Sequence, residues 1–196
     1  MKKGYLYTIV FTMLCAAIFT AVLAFAQGSL TPKIIENQTL ATRKAIIYAF
    51  DMKTGETNEA INQAFEKYIK PDPKNGVDAF VQVDDSGNPL GYAFPFSGSA
   101  LWGQVKGYIA LDTELKQVKG LTFTEQNETP GLGGRIDEPP FKEQFRGLTL
   151  PEGGLKYGKV GDKQIDAITG ATLTSNSVIK ILNDVTTNVI AKWGGN

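Results

Sequence analysis

LWGQVKGYIALDTELKQVKGLTFT, residues 101–124, is rich in Trp, Val, Tyr and Ile as far as Leu111 and breaks at a polar turn over residues 112–117. It then resumes from Val118 to Thr124. β-branched and aromatic residues suit a pleated, half-buried surface, and so short a connection joins only antiparallel neighbours. Two adjacent antiparallel strands are therefore predicted. Upstream, residues 78–83 alternate as a strand, Asp84-Asp85-Ser86-Gly87-Asn88 supplies turn residues, and residues 90–96 return as the partner of a hairpin. Farther out, Ile61, Ala64, Phe65, Tyr68 and Ile69 recur at helical spacing over residues 57–69, and Pro71 with Pro73 ends that run.

On the other side, residues 127–140 carry three glycines and three prolines and read as a loop. Residues 157–160 and 164–167 are expected to be short strands joined by a turn at Gly161-Asp162. From residue 175 to 193, Val178, Ile181, Leu182, Val185, Val189 and Ile190 repeat at three- and four-residue intervals, with Thr174 or Ser175 offered as N-cap. The fold class is α+β, a twisted antiparallel sheet with packed helices. No Gly-x-Gly-x-x-Gly follows a first strand, so a dinucleotide-binding wound sheet is not expected.

Residues 5–26 contain no charged side chain, and as helix they extend about 33 Å, the thickness of a bilayer's hydrocarbon layer. Lys2 and Lys3 precede the run, which directs the N-terminus to the cytoplasm and the rest of the chain outside the cell or inner membrane. The expected organisation is an anchor at 1–26, a linker at 27–39 and an extracytoplasmic domain at 40–196. Residues 40–52 fit either a short helix or a strand. A cleaved signal peptide is the rival, with Ala24-Phe25-Ala26 as cleavage site, although the apolar run exceeds the usual signal core. Cys15 lacks the context of a lipoprotein signal and reads as a small apolar residue.

The 196 residues carry 20 basic and 20 acidic side chains, 42% hydrophobic residues, one cysteine and no histidine. The balance argues against nucleic acid as a partner. Without histidine there is no imidazole base or metal ligand, and one cysteine cannot form a dithiol centre. Redox chemistry would have to arrive on a bound organic cofactor.

Asp166-Ala167-Ile168-Thr169-Gly170-Ala171-Thr172-Leu173-Thr174 stands directly before the C-terminal helix. Unpaired backbone donors at a helix start make a seat for phosphate, glycine and alanine leave room for approach, and the threonines offer hydroxyls. The same residues also suit simple helix capping, and the residues alone leave both readings open.

The motif resembles the flavinylation sequence Asp-x-x-Ser/Thr-Gly-Ala-Thr of the FMN-binding domain found in small anchored subunits of membrane redox complexes. These are the Rnf ferredoxin:NAD oxidoreductase and the sodium-pumping NADH:quinone reductase. Glu128-Thr129-Pro130-Gly131-Leu132-Gly133 is similar to a second family feature, and Leu101-Trp102-Gly103 to a third. The resemblance spans about residues 90–192. It implies FMN joined through its phosphate to Thr172, installed by a separate flavin transferase using FAD. Asp166, Thr169, Gly170, Ala171 and Thr174 would serve the attachment motif. Thr129, Gly131 and Leu132 would close over the flavin and Glu128 would anchor that loop or sit near a flavin nitrogen, with Trp102 stacking nearby or packing in the core. Arg135 would add positive charge or sit in solvent, whereas Tyr108, Phe123 and Phe141 read as ordinary packing.

The resemblance also implies an anchored electron carrier working beside other membrane and redox subunits, and not a complete enzyme alone. The chain's length is closer to the compact Rnf subunit than to the longer C subunit of the sodium-pumping reductase, which is the alternative. A free-standing flavoprotein, a flavin-free structural or interaction module and a domain that binds some other phosphate-bearing ligand are the remaining readings.

Overall fold

The computed structural model describes residues 4–160 and 163–195. Lys2 and Lys3, and the turn expected at Gly161-Asp162, lie outside the described residues. The chain divides into two compact units, residues 1–39 and residues 40–196.

In the first unit every described residue from Tyr5 onward is helical, as part of helix α1, Tyr5–Ala49. By length and composition α1 can cross a membrane, consistent with a single-pass anchor. Residues 27–39, read from sequence as a linker, continue the helix without a break. Pro32 cannot donate to the carbonyl one turn earlier, yet the Thr31 hydroxyl, 2.6 Å from the Gln27 carbonyl, and the Thr39 hydroxyl, 2.8 Å from that of Ile35, bond back along the same helix.

In the second unit, residues 40–49 complete α1, which decides the helix-or-strand ambiguity there. Helix α2 (Asn58–Tyr68) comes next, and the Thr57 side chain accepts from the Ala60 amide at 3.2 Å. Five strands then form an antiparallel meander in chain order: β1 (Ile69–Pro71), β2 (Phe80–Val83), β3 (Pro89–Ser99), β4 (Gln104–Leu111) and β5 (Val118–Glu125). The expected hairpin is β2 on β3, with Phe80 opposite Ala93, and the 101–124 stretch supplies β4 on β5, with Ile109 opposite Leu121. Residues 101–103 form a bend ahead of β4.

Alternation divides the sheet between two cores. Phe94, Phe96, Val105, Ile109, Leu121 and Phe123 face one side, where Val178, Ile181, Leu182, Ile190 and Trp193 of the C-terminal helices cover them. Ala93 and Ala110 face the other, against Ile46, Ala49 and Phe50. Phe123 and Phe141 are core residues, as their composition suggested, and Tyr108 is partly buried.

After β5 the chain makes a 3-10 turn (Gly133–Asp137), a short helix α3 (Pro139–Lys142) and a second 3-10 turn (Glu143–Phe145). The β6 (Gly158–Val160) and β7 (Lys163–Ile165) pair leads into the threonine motif. Helix α4 (Thr172–Asp184) passes through a π-helical turn, Val185–Val189, into α5 (Ile190–Gly194). The apolar spacing predicts one helix here. The wider turn coincides with Thr186, whose hydroxyl bonds back to the carbonyl of Leu182 at 2.9 Å.

Candidate functional site

Helix α4 begins at Thr172, with Ala171 as N-cap and no side chain capping it. Neither Thr174 nor Ser175 takes the N-cap position expected of it, because both lie in the first turn and are buried. The Thr174 hydroxyl donates to Glu128 Oε2. Ser175 Oγ accepts from the Ile168 amide at 3.1 Å, and the Ser175 carbonyl accepts from the Tyr157 hydroxyl at 2.7 Å. Burial drives the Tyr157 pKa up to about 12, so the phenol stays a donor across the physiological range. These bonds fix the first turn from inside and leave the Thr172 side chain exposed. The first amides of a helix have no intrahelical acceptor, so this end offers donors and a positive dipole to an anion.

Upstream, Asp166 is exposed; its amide donates to Gln144 Oε1 at 2.6 Å and its carboxylate accepts from Gln164 at 2.8 Å. Thr169 is exposed and, with Arg135, Gln144 and Asp166, lines a cavity of roughly 180 Å³. Arg135 is held by Glu138 at 3.2 Å. Gly170 takes a left-handed conformation, φ +79°, and a side chain there would meet Leu132 Cδ2 at 3.3 Å. The glycine thus lets residue 132 come close to the threonine motif.

The second family-like segment folds as a tight turn. The Thr129 carbonyl accepts from the amides of Leu132 at 3.1 Å and Gly134 at 3.0 Å, with Pro130 and left-handed Gly131 between them. Thr129 itself is exposed. Glu128 is 5% exposed, and its Oε1 accepts from the Trp102 amide at 2.9 Å. Its carboxylate therefore points into the protein, where it joins the loop to the 101–103 bend. The Trp102 side chain is 65% exposed and so is not a core aromatic.

Three segments distant in sequence thus meet at the start of α4: the 101–103 bend, the 128–134 loop and the threonine motif. Beside Thr172 the surface carries exposed apolar side chains, among them Leu132 at 45% and Leu173 at 63%. Sequence reasoning passed over Leu173. Its position off the buried stripe of Val178, Ile181 and Leu182 was the available signal.

A model of the FMN-binding domain family matches residues 101–187. The C subunit of the Na(+)-translocating NADH-quinone reductase of Pasteurella multocida is 37% identical over 112 residues, which are 53% of this chain and 43% of that protein. The chain thus matches less than half the length of that relative. Among solved structures, the C subunit of the Na(+)-translocating NADH-quinone reductase of Parabacteroides distasonis superposes with a TM-score of 0.63 at 25% identity, over 81% of this chain and 94% of that one. Shewanella oneidensis NqrC superposes with a TM-score of 0.68 at 21% identity, over 78% and 94%. These matches favour a relationship to the sodium-translocating reductase over the Rnf relationship that length suggested.

The residues present fit a phosphate-bearing flavin. An exposed hydroxyl stands at a helix start without a side-chain cap, and apolar groups flank it where a planar ring would need cover. Residues 101–187 thus match the FMN-binding domain family, and the chain is similar in sequence and fold to C subunits of sodium-translocating NADH:quinone reductases.

Proposed function

We propose that this chain is the membrane-anchored electron-transfer subunit of an ion-translocating respiratory complex of the sodium-pumping NADH:quinone reductase kind, carrying FMN joined through its phosphate to Thr172. The observation that supports it most is the start of α4, where Thr172 is exposed while the neighbouring hydroxyls are committed to internal bonds. A bound FMN supplies the redox chemistry; the protein supplies position and electrostatics. Thr172 Oγ would hold the phosphate ester and the first-turn amides would face the phosphate charge. Trp102, Leu132 and Leu173 would cover the ring and keep water from it, while Thr129 and Gly131 shape the loop. Asp166, Thr169, Gly170 and Ala171 would present the hydroxyl to a flavin transferase.

With α1 as a single span and the domain outside the cytoplasm, the flavin would exchange electrons with neighbouring membrane redox subunits. Covalent attachment prevents loss of the cofactor in that compartment. The test is intact mass and peptide fragmentation of the full chain from cells with a competent transferase. The expected increment is one FMN less one water, on Thr172. Unmodified protein from such cells overturns the covalent reading. Co-purification with reductase subunits tests the assignment to a complex.

A further inference from the structure

Glu128 is a carboxylate buried beneath a surface loop, where acidic groups are rarely found without partners. Each oxygen has a directed donor: Oε1 takes the Trp102 amide at 2.9 Å and Oε2 takes the Thr174 hydroxyl. Its own amide donates to Gln126 Oε1 at 2.8 Å, which fixes the entry into the loop. Gly133 makes the arrangement possible, because a Cβ there would stand 2.6 Å from Thr174 Oγ1 and 2.8 Å from Glu128 Oε2. The bonds tie together segments 26 and 46 positions apart. These same segments carry Trp102, Leu132 and Thr172.

We propose that Glu128 is a positioning residue: its buried carboxylate holds the 101–103 bend and the 128–134 loop in register with the first turn of α4, so that Trp102 and Leu132 meet a flavin tethered at Thr172. The inference rests on the flavin reading above, but the brace itself belongs to the polypeptide and exists before any cofactor arrives. Removing the carboxylate leaves the Trp102 amide and the Thr174 hydroxyl to find new acceptors, and they find them by moving the bend and the loop. Neither bond belongs to the ladders that pair β3, β4 and β5.

The experiment uses the full chain in detergent, made with and without a competent flavin transferase, as wild type, Glu128→Ala, Glu128→Gln and Thr174→Val. In unloaded Glu128→Ala, amide exchange at residues 101–103 and 128–134 is expected to rise by about tenfold or more while β3 to β5 keep their protection. Glu128→Gln, which still offers an acceptor to Trp102, restores protection of the bend. In loaded protein, Glu128→Ala changes the flavin's visible circular dichroism and midpoint potential, and Glu128→Gln returns the dichroism toward wild type. Thr174→Val, which removes one bond and no charge, loosens the 128–134 loop alone and covers the case in which Glu128→Ala does not fold.

Unchanged exchange in both segments together with unchanged flavin signals overturns the proposal, and so does exchange raised evenly across the sheet. If wild type carries no flavin while Glu128→Ala still loosens both segments, the flavin reading fails and the brace stands.

Discussion

Helices α2 and α4 both begin among threonines, and only one of them is capped. At α2, Thr57 accepts from the Ala60 amide and closes the helix start in the ordinary stabilising way. At α4, three hydroxyls lie within the first turn, at Thr172, Thr174 and Ser175, yet none caps the helix. Thr174 and Ser175 turn inward to Glu128 and to the Ile168 amide, and Thr172 turns outward. A hydroxyl near a helix start is therefore no guide to its use. What separates a cap from a ligand site is where the neighbouring hydroxyls spend their hydrogen bonds.

The largest effect that could break this contrast is at Thr172. Thr172→Ala is expected to abolish the flavin increment completely while shifting unfolding free energy by no more than about 0.5 kcal/mol, as for an exposed position without internal partners. Mass spectrometry and urea denaturation of the same sample read both. A large loss of stability would mean that Thr172 serves the helix after all. Next is Gly133→Ala, which forces a methyl between Thr174 Oγ1 and Glu128 Oε2. It is expected to cost about 1–3 kcal/mol by overpacking and to lower the fraction of flavin-bearing protein, because the loop can no longer close on α4.

The sheet was legible because alternation of apolar residues in β2 to β5 is a local signal, and so was α2, whose apolar stripe and following prolines fall within a few turns. Residues 45–50, AIIYAF, are apolar without a period, so their helical state could not be read. The helix over 27–39 was hidden by its polar residues and Pro32, which locally resemble a linker. At the site, the threonine motif and the 128–133 loop were visible as short strings. The bond between Glu128 and Thr174 was not, because a contact across 46 positions leaves no spacing to recognise. For the same reason the directions of Trp102 and Glu128 came only with the fold.

A smaller effect sharpens the contrast from the other helix. Thr57→Ala should cost about 1 kcal/mol, the usual value of a lost N-cap. Flavin attachment should stay at the wild-type level, since α2 contributes nothing to the Thr172 surface. An equal fall in flavin content would show that loading tracks overall stability, and the distinction between the two helix starts would lose its functional meaning.

The smallest effect concerns a third helix end, the carboxyl end of α1, which is closed by side chains far along the chain. The Arg146 guanidinium reaches the Tyr48 carbonyl at 3.5 Å and is oriented by Glu143, at 2.6 Å from Nε and 3.0 Å from Nη2. The Tyr48 hydroxyl also donates to Glu143 at 2.6 Å. The Arg146 bonds, helped by that hydroxyl and opposed by partial desolvation, hold the Glu143 carboxyl at about 2 instead of 4.5. A depressed folded-state pKa stabilises the fold above the unfolded value, and this contribution is lost as pH falls from about 4.5 through about 2. Glu143→Gln lacks it. Denaturation curves collected between pH 6 and pH 2 should therefore converge for wild type and variant toward the acid end. Glu143 is partly exposed, so solvent screens the effect and the difference at neutral pH should be small. Parallel curves over that range would remove Glu143 from the closure of α1 and leave Arg146 to hold that end through its backbone contacts alone.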